Sequence, residues 1–61
     1  MSDLVQKYEE LKVLIESMEL DVHKSARGNK SAGVRVRKGL RVLKRQASDF
    51  VRASLESSKS E

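Results

Sequence analysis

An all-α fold, an antiparallel hairpin of two helices, is predicted by two apolar stripes of helical period, a single cluster of helix-breaking residues between them, and the absence of proline from all 61 residues. In the first half Leu4, Tyr8, Leu11, Ile15, Met18 and Val22 recur with a 4-3-4-3-4 spacing, which keeps one row in line down a helix. A helix over about 3–26 follows. The breaker cluster is Ser25-Ala26-Arg27-Gly28-Asn29. Gly28 suits the left-handed position that ends a helix, and Asn29 suits the N-cap of the next, its side-chain oxygen accepting an otherwise orphaned N–H. A turn at about 27–29 is short enough to fold the second helix back on the first. The second stripe, Val36, Leu40, Leu43, Ala47, Phe50 and Ser54, repeats the spacing and predicts a helix over about 30–55 whose seam faces the first. Gly33 and Gly39 beside it each cost roughly 1 kcal/mol of helix propensity relative to alanine, and close approach of the helices is the expected return. The serine- and charge-rich tail, 56–61, is expected to fray.

One domain is the most that a chain this short supports, and such a domain hides little of its surface alone. With no cysteine and one histidine, disulfides and a structural zinc site are excluded. Val13, Leu14, Leu20, Val51 and Leu55 lie off the two seams. Their number predicts self-association, most simply a four-helix homodimer.

Charge carries the functional reading. Residues 1–23 hold six acids against two lysines, whereas Lys24 to Arg52 hold ten cations against one acid, Asp49. Such asymmetry points to a polyanion partner. On a helical wheel Arg37, Lys38, Arg41, Lys44, Arg45 and Arg52 centre roughly 140° from the second seam and span about 22 Å of helix, and arginine forks grip phosphate oxygens well. Lys24, Arg27 and Lys30 extend the positive field around the turn. The competing reading is a solvated face, or one paired with Glu9, Glu10, Glu16, Glu19 and Asp21 of the first helix. Against it stands the scarcity of acids on the second helix itself.

Other classes find little support. Two aromatic residues, Tyr8 and Phe50, fit the seams and are too few for base-stacking platforms. The longest apolar run, Val13 to Ile15, rules out a membrane span, and the acidic-leaning Met1-Ser2-Asp3 start is unlike a signal peptide, so a cytoplasmic protein is expected. His23 reads as a surface residue compatible with the helix dipole. No nucleophile stands with its base, no glycine loop cradles phosphate and no metal cluster is present, so neither an enzyme nor a small-molecule substrate or cofactor is expected.

The run Gly28-Asn29-Lys30-Ser31-Ala32-Gly33, followed by Val34-Arg35-Val36-Arg37-Lys38 and later by Leu43-Lys44-Arg45-Gln46-Ala47, resembles the conserved segment of the bacterial linker-histone-like proteins, the small nucleoid proteins of the chlamydial type. The acidic helix from Tyr8-Glu9-Glu10-Leu11-Lys12 also fits, so the resemblance covers roughly 4–55. It implies non-sequence-specific binding of double-stranded DNA and compaction of a bacterial nucleoid, with the Gly28-Asn29-Lys30 turn and Arg35, Arg37 and Lys38 as matching positions. The lysine- and alanine-rich C-terminal tail of the chlamydial proteins has no counterpart in these residues, which shifts the expected burden onto the hairpin and its oligomer. The interface expected on DNA is therefore Lys24, Arg27, Lys30, Arg35, Arg37, Lys38, Arg41, Lys44, Arg45 and Arg52. Two rivals remain: a helical module docking an acidic protein, and an RNA- or ribosome-associated factor.

Overall fold

The computed structural model describes residues 3–59, with side chains as far as Ser57. Three helices make up those residues: α1 (Asp3–Ser17), α2 (Glu19–Ala26) and α3 (Lys30–Lys59). The first two form one bent arm. At Met18, φ −88° and ψ −9°, the backbone tightens: its N–H donates to Ile15 three residues back (3.1 Å), and the Ser17 hydroxyl donates to the Leu14 carbonyl (2.7 Å). A serine bonded back to its own helix competes with the regular ladder and bends it. The single helix expected over 3–26 is therefore interrupted at residue 18.

The turn follows the local chemistry expected of it. Gly28 N–H reaches the Ser25 carbonyl (3.0 Å) and Asn29 N–H the Lys24 carbonyl (3.0 Å), with Gly28 at φ +99°, so α2 ends in a Schellman motif. Asn29 Oδ1 then accepts the Ala32 N–H at 2.9 Å, capping α3. The third helix runs on to Lys59, past the residue 55 at which the sequence places its end; of the tail expected to fray, residues 60 and 61 lie outside the described residues.

Both halves of the bent arm lie against α3, in reversed order along the chain. Tyr8 meets Phe50, with ring centroids 6.3 Å apart, Met18 lies against Gly39, Asp21 pairs with Arg35, and Ser25 lies against Gly33. The Cα framework measures 48 × 18 × 11 Å, a single layer of two helices side by side.

The rows that face each other differ in part from the predicted seams. On the first arm Leu4, Lys7, Leu11, Leu14, Met18 and Asp21 are half-buried, and on α3 Ala32 and Ala53 are buried while Val36, Gly39, Leu43, Gln46 and Phe50 are partly so. Leu4, Leu11, Met18, Val36, Leu43 and Phe50 thus sit where expected. Tyr8, Ile15, Val22, Leu40, Ala47 and Ser54 are instead exposed: both arms are rolled by about one residue, which brings small residues to the contact. Gly39 explains the roll, because a Cβ there would stand 2.8 Å from Met18 Sδ. Bulk on that row would push the helices apart. The contact is correspondingly thin. Among the described residues no large side chain is fully buried.

The roll also sorts the two broad sides of the layer. Lys7, Glu10, Gln46 and Asp49 line a small polar cavity on one side, joined by Asp3, Arg52 and Glu56 around a second. Gln46 Oε1 is buried there without a hydrogen-bond partner. The opposite side carries the exposed apolar rows Tyr8-Ile15-Val22 and Leu40-Ala47, with Val51 and Leu55 beyond.

Candidate nucleic-acid interface

Helix α3 positions most of the candidate cations. Its apolar row is held against the first arm, so residues on its far side are driven outward: Arg37, Lys38, Arg41, Lys44, Arg45 and Arg52 are all exposed. Lys38, Arg45 and Arg52 repeat every seven residues and form one line along the outer edge. Arg41 lies beside it, and Arg37 and Lys44 stand nearer the apolar side. At one end of the layer, Lys24 occupies the last turn of α2, Arg27 follows as its C-cap and Lys30 opens α3. Lys24 is half-buried, and the other two are exposed.

Arg35 is set apart from the rest. Its Nε lies 3.1 Å from both carboxylate oxygens of Asp21, and Nη2 lies 3.0 Å from Oδ1. The guanidinium bonds hold the Asp21 carboxyl below its ordinary range against an opposing desolvation, with the charges of Arg35 and Lys24 as smaller contributions in the same direction as the bonds. The same pairing raises Arg35. This is the only ion pair among the described residues. Among the described residues, then, one of the ten candidate cations is held in an ion pair with an acid of the first arm, and the other nine are not.

The clasp between Asp21 and Arg35 escaped sequence reasoning, which gave Asp21 only a diffuse role and Arg35 a role by resemblance. Its signal lies in the turn: with Gly28 at the centre, positions 21 and 35 are seven residues away on either side and meet when the arms close. His23 is exposed in the last turn of α2, beside the negative end of the helix dipole as expected.

Among the described residues no three His, Cys, Asp or Glu side chains are grouped to hold a metal ion, and no helix is long and apolar enough to cross a membrane. Fold and composition define the class: a small, basic, all-helical protein. More particularly, the chain belongs to the histone H1-like protein Hc1 family, whose sequence profile matches residues 5–60. That family consists of structural DNA-binding proteins of the nucleoid, not of enzymes. The match agrees with the resemblance carried by the Gly28–Ala47 region. Neither curated proteins nor solved structures give a significant match to the chain.

Proposed function

We propose that this chain binds double-stranded DNA through its phosphate backbone, without reading sequence, and so helps organise a bacterial nucleoid in the cytoplasm. The working unit is the antiparallel hairpin as a single domain over residues 1–61, and its contacts run along α3 through Arg37, Lys38, Arg41, Lys44, Arg45 and Arg52. Lys24, Arg27 and Lys30 extend them at the turn. The observation that carries this reading, beside family membership, is that nine of the ten candidate cations make no ion pair among the described residues. Unpaired cations in a row on a rigid helix neutralise successive phosphates and release their counterions. Arg35 contributes to the field while it positions the arms.

Sequence indifference follows from the same geometry. Base reading needs a helix seated in the major groove by flanking backbone contacts, as in helix-turn-helix proteins, and a two-helix layer lacks such a unit. Gel shifts on two duplexes of unrelated sequence, with a single-stranded RNA of equal length as competitor, test the proposal. Equal affinity for the two duplexes and weak competition by RNA are expected. Strong preference for one duplex would overturn backbone recognition, and preference for RNA, or binding only to an acidic protein, would return one of the rivals.

A further inference from the structure

We infer that a second copy of this chain covers the apolar broad side of the layer, with the first arm of each copy lying across α3 of the other. That side exposes two shallow grooves. One, about 380 Å³, is lined by Ala47, Phe50, Val51, Ser54 and Leu55 on α3; the other, about 320 Å³, by Ile15, Glu16, Glu19, Val22 and His23 on the first arm. Tyr8 and Leu40, about half exposed, stand on the same side. The Cα framework spans 48 by 18 Å across the broad side, which leaves room for the roughly 800 Å² per partner of a standard stable interface.

Stacking two layers face to face with two-fold symmetry allows two limiting arrangements. An axis across the helices sets α1 on α1 and α3 on α3, so the acids bordering the first arm meet acids and the cations of α3 meet cations. An axis along the helices sets each first arm on the partner's α3, and acid meets base. Like-charge contact opposes the first arrangement.

Symmetry then fixes the register, because rotation about an axis along the helices leaves every residue at its own height. Tyr8 stands level with Phe50 and Met18 with Gly39. Leu40 of one copy therefore arrives over the groove between Ile15, Glu19 and Val22 of the other, and Tyr8 over the groove lined by Ala47, Phe50 and Val51. Arg37 and Arg41, on either side of Leu40, come level with Glu19 and Glu16. Lys12 against Lys44 is an unfavourable meeting, with Glu16 a turn away, and the turn cations Arg27 and Lys30 of both copies also come to the same end; the acid-on-base contacts between them outweigh these. Leu40 fills the acidic-rimmed groove with a cation on each side of it, which is the complementarity that selects a second copy over an unrelated partner.

On the reading that this protein binds DNA, the arrangement has a consequence. It sends the two α3 helices to diagonally opposite corners of the four-helix assembly, so the Lys38-Arg45-Arg52 edges point away from each other. One assembly then holds two duplexes. The rejected arrangement would merge both edges on one side, for one duplex.

Sedimentation without DNA tests the assembly, and the charge pattern tests its geometry. The parent should be dimeric at about 50 µM; Glu16→Lys/Glu19→Lys and Arg37→Glu/Arg41→Glu should each weaken the dimer at least about tenfold, and their equimolar mixture should restore it. These residues are exposed, and helicity by circular dichroism should hold. A monomeric parent, or variants that each dimerise as well as the parent, would overturn the inference. Pull-down of a labelled duplex by an immobilised one tests the consequence: the parent should capture it, and Leu40→Ser should bind DNA without capture. A dimer that binds DNA but never captures a second duplex would refute the diagonal placement. A dimer that binds no DNA at all would leave the interface standing and remove the functional reading instead.

Discussion

Replacing Gly28 by L-alanine and by D-alanine should change stability in opposite directions. Gly28 holds φ +99° and an added Cβ would meet nothing within 4 Å, so sterics with the rest of the fold drop out and only the backbone term remains. An L-residue held on the left-handed side costs about 1–2 kcal/mol, of which about 0.4–1 kcal/mol is offset by the smaller freedom of alanine in the unfolded chain. The net loss is about 1 kcal/mol. D-Alanine favours positive φ and keeps the offset without the penalty, so it should stabilise by about 0.4–1 kcal/mol. For a domain of this size each kcal/mol moves the melting temperature by about 4–8 °C. A chain of 61 residues is accessible to chemical synthesis, and melting followed by circular dichroism at one fixed protein concentration reads both variants, since self-association would otherwise shift the midpoints. Equal melting temperatures for the two stereoisomers would refute the assignment of the turn.

Leu11→Asp should unfold the chain by placing an unpaired charge between the arms, whereas Leu40→Asp, on the exposed row, should keep full helicity and lose only self-association; circular dichroism with sedimentation separates the two. Asp21 should titrate below the usual aspartate range by carbon-detected NMR, and Arg35→Gln should return it there. Because its folded pKa is depressed, the clasp's contribution is present above the unfolded value of about 3.9 and is lost as pH falls through the lower folded one. The stability of Asp21→Asn should therefore depend less on pH than the parent's in that window. Gln46→Met should stabilise by about 1 kcal/mol in urea titration, since it removes a buried acceptor that has no partner.

How much of this was legible in the sequence depends on the range of the interaction. The turn was, because Gly28 and Asn29 act within a few residues of themselves. The apolar period gave the helices, yet it could not decide which of two adjacent rows faces the partner: Leu40 and Ala47 are more apolar choices than Gly39 and Gln46, but the contact selected small residues near Met18, and the larger ones were left for a second surface. The bend at Met18 depends on the Ser17 hydroxyl choosing the Leu14 carbonyl over water, which no periodicity records. At the cationic edge, six exposed positions on α3 could be placed from the helical wheel alone. Arg35 could not, because its capture by Asp21 requires the register between the arms.

The most direct test of the account is the salt dependence of DNA affinity, measured for the parent and for Lys38→Gln/Arg45→Gln. If α3 engages about six phosphates, log K should fall linearly with log salt with a slope near −5, and losing two contacts should flatten it by about two units on every duplex sequence. Both side chains point to solvent on the outer edge, so helicity and self-association should not change. A double variant that binds with the parent's affinity and slope would contradict the central claim, returning the cationic edge to a solvated surface.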